Sequence, residues 1–403
     1  MTAPFAVLVC GAGPVGSTLA LALAAAGVRV GLVHAPPPAA MAHAGCRPIA
    51  LSAASVRILT TLRVWPAIAP RACAIRTVHV SEQGRFGMVR LRAQDMGVDA
   101  LGYVIEADVI GRALHAALAA DAGVTRVGPA QVRGAQPCGD LLAASLDPAV
   151  EDPPRARLLV AADGGESGLG EALGIASQVR EYGQRAVVCA VTPGKPHAGI
   201  AYERFTPHGP LALLPLSDAR CAVVWTLPEA RAQAIAALPE AAFLDALQQA
   251  FGGRLGRLHA AGTRTSFALS LVRSHALTAP RVALVGNAAN RLHPVAGQGL
   301  NLGLRDAAAL ADLVAAAVRA GADPGADAVL AAYARARRPD QRAIVRFTDT
   351  LARGFSARPG LLGGLRSAGM LALDLVPPAS RALARRAMGL AGRQSRLVRG
   401  IAP

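Results

Sequence analysis

Three short stretches place glycine and polar residues at spacings that suit chemistry. The first is Gly11-Ala-Gly13-Pro-Val-Gly16. The β-rich apolar run Phe5 to Cys10 precedes it, helix-like Ser17 to Ala26 follows, Gly27 suits a helix C-cap, and Val28 to Val33 reads as a second buried strand. This is a GxGxxG pattern in the βαβ context it requires. Gly11 permits the tight turn, Gly13 lets the backbone approach a pyrophosphate, and Gly16 lets the helix pack closely on the strand. The helix N-terminus offers free N–H groups and partial positive charge to phosphates. The pattern implies a dinucleotide without separating NAD from FAD. The acid that commonly holds a ribose at the end of the second strand would be residue 34, and His34 stands there. A neutral imidazole bonds a ribose hydroxyl less strongly than a carboxylate does. A histidine exposed at a strand end explains His34 equally well.

The second stretch starts from the apolar run Arg281 to Val285 and continues GNAANRLHPVAGQGLNLGLRD to Asp306, with a helix expected through Ala307 to Ala320. It reads as a strand, a polar turn, a Gly-rich loop and a helix start. Such a loop presents backbone N–H groups to an electron-rich ligand atom. The third stretch is Leu158-Leu-Val-Ala-Ala-Asp163-Gly164-Gly-Glu-Ser167.

Taken together these stretches resemble the flavoprotein aromatic hydroxylases. The second is similar to their GDAAH and GQGxN element and the third to their ADGxxS element. Asn287 in place of aspartate resembles the branch that hydroxylates 2-polyprenyl-6-methoxyphenol in ubiquinone biosynthesis. CRPIALSAASVRIL, HVSEQGRFGMVRL, ALGYVIE, ERFTPHGPLALLPL and FTDTLARGF extend the likeness over nearly the whole chain. The resemblance implies an α/β fold, a Rossmann-like FAD-binding domain with an inserted mixed β-sheet substrate domain and a C-terminal helical segment. It implies FAD as cofactor, with NAD(P)H as transient reductant and O2 and a polyprenylated phenol as substrates. The reaction would run through a C4a-hydroperoxyflavin that attacks the ring. Gly11, Gly13 and Gly16 would meet the pyrophosphate. Arg47 would lie near the phosphates, and Arg112 near the same cofactor. Asp163 would support the pyrophosphate region and NAD(P)H. Asn287 would meet the ribityl or phosphate portion. Pro294 and the loop Val295 to Asn301, with Gly297, Gly299 and Leu300, would line the isoalloxazine. No catalytic base is assigned, and a structural role accounts for His293 better than a chemical one. Tyr202, Phe205, Leu213 and Trp225 lie in alternating segments suited to a sheet over the flavin, where core packing is the competing role.

Three departures qualify the likeness. His34 replaces the ribose acid, Gly45-Cys46-Arg47 lacks the aspartate two residues before the arginine, and Gly170 stands where many members carry arginine. His34 and the missing aspartate motivate one alternative, a flavin-poor non-catalytic or lipid-binding partner in a biosynthetic complex, and hydroxylation at another ring position of the same pathway is the other.

The elements that must position these residues follow from length and pattern. A chain of 403 residues with 53% hydrophobic and 17% charged content is folded and long enough for more than one core. The FAD-binding domain is expected from residues 1–75, 98–181 and 272–338, the substrate sheet from 76–97 and 182–271, and the C-terminal helical segment from 339–403. DPAVEDPP, Asp147 to Pro154, reads as a turn. Ala6 to Val28 carries no charge, but Gly11, Gly13, Pro14 and Gly16 fit a strand, turn and helix better than a membrane span. Six scattered cysteines without a CxxC pair fit a reducing compartment and argue against zinc. Met1 to Phe5 lack a basic leader, so a cytoplasmic location is expected. The net charge is +16, and Ala331 to Pro403 holds fourteen arginines against three aspartates. Nothing resembles a nucleic-acid-binding motif. A basic, apolar tail that includes Leu361 to Leu390, broken at Pro377-Pro378, suits peripheral contact with an inner-membrane surface; packing against the rest of the protein or a partner is the alternative.

Overall fold

The N-terminal run folds as its glycines predict. Strand β1 (Phe5–Cys10) leads into helix α1 (Pro14–Ala25), and β2 (Val30–Val33) returns parallel to β1. Pro14 opens the helix, where its missing N–H costs nothing. Gly27 takes a φ of +74° just past the helix end. The uncharged stretch is thus strand, turn and helix. No helix among the described residues is long and apolar enough to cross a membrane. The computed structural model describes residues 3–35, 47–164, 168–292, 297–354 and 369–403.

The first sheet has the order β18-β19-β11-β1-β2-β8. Its members include β8 (Val124–Val127), β11 (Arg155–Ala161), β18 (Thr278–Ala279) and β19 (Val282–Leu284). Strands β8, β2, β1, β11 and β19 run parallel. Val7, Leu8, Val9, Leu158, Leu159 and Val160 are wholly buried, as expected where helices cover both faces of a parallel sheet. The hairpin β9 (Gln131–Cys138) and β10 (Leu141–Asp147) joins β11 antiparallel, and DPAVEDPP makes the turn between β10 and β11. Helices α2 (Ala53–Thr61), α3 (Trp65–Ile68), α4 (Ala107–Ala120), α5 (Leu169–Ala172) and α8 (Gln298–Arg319) belong to this part of the molecule.

The second sheet has the order β20-β17-β12-β15-β14-β13-β5-β6, with β16 paired to β12. It comprises β5 (Thr77–Glu82), β6 (Met88–Arg92), β12 (Ser177–Pro193), β13 (Ile200–Thr206), β14 (Gly209–Pro215), β15 (Cys221–Pro228), β16 (Leu258–Ala261), β17 (Thr265–Ser274) and β20 (Asn290–Arg291). The long strands β12 and β17 straddle residues 181/182 and 271/272, so the chain passes between the two parts within strands. Helices α6 (Glu229–Ala237) and α7 (Glu240–Phe251) cover one face of this sheet. A three-stranded sheet, β3 (Pro48–Ser52), β7 (Gly102–Glu106) and β4 (Cys73–Ile75), sits at the junction. This is the α/β architecture expected: a Rossmann-like domain joined to a mixed substrate sheet.

Helix α9 (Asp327–Gly354) runs through Pro339. Helical residues 369–375 form α10, and α11 (Pro377–Ala387) begins on Pro377, so the double proline ends one helix and starts the next. The tail is anchored. Met370, Ala384 and Met388 pack with Val89, Leu91, Ala93 and Leu101, and the Arg90 N–H donates to Asp374 at 2.8 Å. Farther on, Leu397 and Val398 are buried, the Thr61 hydroxyl donates to the Leu397 carbonyl at 3.0 Å, and the Arg396 N–H donates to Asp312 at 2.8 Å.

Candidate active site

Three glycine-rich stretches converge because backbone must touch backbone. A methyl group built on Gly11 would lie 2.6 Å from the Ala162 carbonyl oxygen and 2.8 Å from the Asp163 Cα, and one on Gly16 would overlap the Gly11 carbonyl oxygen. On Gly303 it would lie 2.7 Å from a Val15 methyl and 2.8 Å from the Gly286 Cα. Helix α1 and helix α8 are thereby locked together beside the Gly286 turn, with Asp163 at the end of β11 next to Gly11. Gly13 differs: nothing stands within 4 Å of a methyl built there. The backbone of Gly13, at the N-cap of α1 with no side chain capping it, is open to a ligand. The N-terminus of α8, capped by Gly297 at a φ of +58°, also has no side-chain cap. Two helix N-termini without a side-chain cap therefore serve one region. The donors of this cradle fit an elongated dinucleotide such as FAD.

The Asn301 side chain is committed to bonds within the protein. Its Oδ1 accepts the Ser52 N–H at 2.8 Å and the Ser55 hydroxyl at 2.7 Å, and its Nδ2 donates to the Ala50 and Gly297 carbonyls at 2.8 and 2.7 Å. The side chain is 2% exposed and fully used, so it positions the loop and leaves no bond for a cofactor. Asn287 is exposed, and a methyl built on Gly299 would stand 4.0 Å from its Oδ1, so Asn287 and Gly299 border the same opening. Leu300 is half-buried on the first turn of α8. Pro294 and His293 lie outside the described residues.

His34 ends β2, its N–H donating to the Val127 carbonyl at 3.1 Å. Burial, then Arg126 and His115, hold its pKa below the ordinary value, so the imidazole is neutral at pH 7. Arg47 extends from the domain junction over the Phe267 ring of β17, 5.5 Å from its centre. Arg112 stands apart on the exposed face of α4, ion-paired with Asp108 one turn back rather than with the cradle.

The sheet sorts the four aromatic and apolar candidates by alternation. Tyr202 pairs with Leu213, and Trp225 with Leu211, so these share a face. That face packs against Phe243, Leu247 and Phe251 of α7 and Ile235 of α6. Tyr202, Leu213 and Trp225 thus belong to a core on the side away from the cofactor cradle, a correction to their expected place over the flavin. The opposite face carries Ala201, Ala190, Ala222 and Leu216, packed with Ile75, Val104 and Ala50. Ala50 is the residue whose carbonyl Asn301 holds, so this face looks toward the flavin loop. Phe205 lies on it by register, as does Glu203. Residues three apart on a strand point oppositely, and that signal in the sequence separates Tyr202 from Phe205.

Behind α8 lies a buried ionic network. Arg337 of α9 reaches Asp306 at 2.6 Å and Asp340 at 2.7 Å, Arg305 reaches Asp340 at 3.0 Å, and the Gln341 amide donates to Asp306 at 3.0 Å. Asp306 is fully buried. The network braces α8, and with it the N-terminus of the flavin loop, against α9. Arg342 and Arg346 of α9 line an open cavity of about 280 Å³ with Arg273 and Val345.

Comparison with known proteins agrees with this geometry. The family model described as FAD binding domain matches residues 4–348. The chain is 37% identical over 402 residues to a ubiquinone hydroxylase, UbiL, of Rhodospirillum rubrum, covering 98% of this chain and 92% of that one. It is 32% identical over 394 residues to the 3-demethoxyubiquinol 3-hydroxylase of Escherichia coli, covering 96% and 99%. The crystal structure of p-nitrophenol 4-monooxygenase PnpA from Pseudomonas putida superposes with a TM-score of 0.78 at 19% identity, over 98% of this chain and 100% of that one, and shares the fold. With the cradle, the braced loop and the facing sheet in place, the chain belongs to the FAD-binding-domain family of flavoprotein monooxygenases, in the branch of ubiquinone-biosynthesis hydroxylases.

Proposed function

We propose that the protein hydroxylates the ring of a polyprenylated phenol of the 2-polyprenyl-6-methoxyphenol type. The observation that carries this reading is the pairing of two uncapped helix N-termini, at α1 and α8, with an apolar sheet face opposite the second. Bound FAD would supply the redox chemistry, taking electrons from NAD(P)H and activating O2. The chain's part is to bind, orient and keep water out. Gly13 and α1 hold the pyrophosphate, with His34 at the ribose and Asp163 beside the glycine turn. Arg47, Asn287 and Gly299 border the path between phosphates and ring. The N–H groups of α8 favour negative charge on the reduced ring, and the apolar sheet face excludes water that would waste the activated oxygen.

The bilayer is the source of such a substrate, and the C-terminal segment is the proposed contact. Leu371, Leu375 and Val376 are exposed, 39%, 68% and 47%, while Met370 and Met388 of the same segment point inward. Apolar residues outward beside many arginines suit an anionic lipid surface. Membership of a multi-protein biosynthetic complex belongs to the same proposal. Deleting the tail would expose Val89, Leu91 and Leu101, so the test is L371E/L375E/V376E in the full chain. Co-sedimentation with anionic liposomes should drop several-fold; unchanged sedimentation refutes the contact.

The defining experiment is the visible spectrum and flavin content of the purified protein, followed by product analysis with NAD(P)H, O2 and a short-chain 2-prenyl-6-methoxyphenol. About one FAD per chain and one added ring hydroxyl support the reading, and the position of that hydroxyl distinguishes it from hydroxylation elsewhere on the ring. Failure to bind FAD would favour a lipid-binding partner instead.

A further inference from the structure

Glu203 is a carboxyl in an apolar setting on the sheet face that looks toward the flavin loop. Its register partners are Ala212 on β14 and Val80 on β5. Val80 borders the cluster of Val89, Leu91, Met370 and Met388, which also touches Ala53 at the start of α2. Ala201, two residues before Glu203 and about 7 Å away along the strand, belongs to the cluster that touches Ala50. Glu203 therefore stands between two apolar patches that both reach the segment bonded by Asn301. Glu203 is half-buried in the sheet, with apolar side chains on either side of it. Among the described residues no hydrogen bond or ion pair engages its carboxyl, whereas Glu82, the other carboxylate on this face of the neighbouring strand, is held 3.3 Å from Arg85. A single unengaged polar group among apolar walls is the arrangement that orients a small ligand in a pocket.

We propose that Glu203 receives the phenolic hydroxyl of the substrate, as hydrogen-bond acceptor and then as proton acceptor. This rests on the reading of the protein as a phenol hydroxylase. The phenol O–H bond breaks, the proton passes to a Glu203 oxygen, and the electron pair stays on the phenol oxygen, where it enriches the ring. O2 and FAD reduced by NAD(P)H would supply the incoming hydroxyl, the second oxygen atom leaving as water. The ring carbon that gains it then loses its own hydrogen as a proton to water, and the proton on Glu203 returns to the phenol oxygen. Glu203 ends the cycle ionised, and no further oxidant or reductant is needed. Burial raises the carboxyl to about 7, which suits a group that must both take and return a proton near neutral pH.

The test is binding to the FAD-loaded protein, read as the change in flavin absorbance. The probes are 2-methoxyphenol and 1,2-dimethoxybenzene, which differ by the hydroxyl hydrogen. A charge-assisted hydrogen bond predicts that the wild type prefers the phenol by about 10- to 100-fold. Glu203→Gln, nearly the same shape, and Glu203→Leu should each reduce that preference to about threefold or less with flavin content unchanged. A preference retained in Glu203→Gln overturns the assignment, even if Glu203→Leu fails to fold. If the wild type prefers the phenol and the variants do not, the assignment stands. If the wild type binds neither probe, the phenol-hydroxylase reading itself fails, and the assignment falls with it.

Discussion

Replacing Asn301 by alanine tests whether the flavin loop is held by one side chain. Asn301 makes four buried hydrogen bonds, to Ser52, Ser55, Ala50 and Gly297. At about 1 kcal/mol net for each, their loss comes to about 4 kcal/mol, and the partners left unmet in a dry site push the figure upward. For a domain of this size that corresponds to a fall in Tm of about 8–16 °C. The bonds to the Ala50 carbonyl and the Ser52 N–H fix the start of α8 against β3. If their share, about 2 kcal/mol, is felt by the cofactor, the Kd for FAD rises by about 30-fold. Asn301→Asp should be harsher on FAD binding than Asn301→Ala. It keeps acceptors for Ser52 and Ser55 but turns a carboxylate toward the Ala50 and Gly297 carbonyls. The assays are calorimetric unfolding and titration of FAD into apoprotein by fluorescence quenching. A Tm within about 1 °C of wild type together with an unchanged Kd would refute the positioning role.

Gly16→Ala should abolish FAD retention and lower stability, because the new methyl meets the Gly11 carbonyl. Gly13→Ala should leave apoprotein unfolding unchanged and weaken FAD alone, since the space there is open; apo and holo melting curves separate the two. His34→Glu should tighten FAD by about tenfold through a charge-assisted bond to the ribose, read by the same titration. Asp306→Asn leaves buried Arg337 with Asp340 as its remaining carboxylate and should cost about 1–3 kcal/mol in urea unfolding at pH 7. Glu203 gives a pH signature. Its folded pKa, about 7, lies above the unfolded value, so the folded state binds the proton more tightly. Its contribution is therefore best below the unfolded pKa of about 4 and worsens as pH rises to about 7. Glu203→Gln should match wild type near pH 4 and be more stable at pH 8, by on the order of 2 kcal/mol. Equal stability at both pH values would show that the carboxyl is not desolvated. Asp340 has the opposite sign: although burial opposes it, Arg305 and Arg337 hold its pKa below the usual carboxylate range. Its stabilisation is present above the unfolded pKa and lost as pH falls through the folded value. Asp340→Asn should remove that acid-side loss from the stability profile.

Local rules made the cofactor cradle legible in the chain. Gly11, Gly13 and Gly16 are demanded by a strand, a turn and a helix that are neighbours in sequence, so spacing alone carries the reading. The uncharged run Ala6 to Val28 resolved into those elements for the same reason. The turn at DPAVEDPP and the helix break at Pro377-Pro378 were equally local, set by proline chemistry. What the chain could not disclose depends on residues far apart. Asn301 binds Ser52 and Ser55 across nearly 250 positions, so nothing in its motif announced that its side chain braces the loop. Tyr202, Leu213 and Trp225 were recognisable as strand residues, but that their face is a core was decided by α6 and α7 covering it. Glu203 was invisible as a candidate because a single carboxylate between aromatic residues has no pattern of its own. Its setting comes from β5, β14 and the returning C-terminal segment, which the fold alone brings together. Backbone geometry near a glycine is written in adjacent residues, whereas the polarity around a side chain is set by whatever the rest of the chain packs against it.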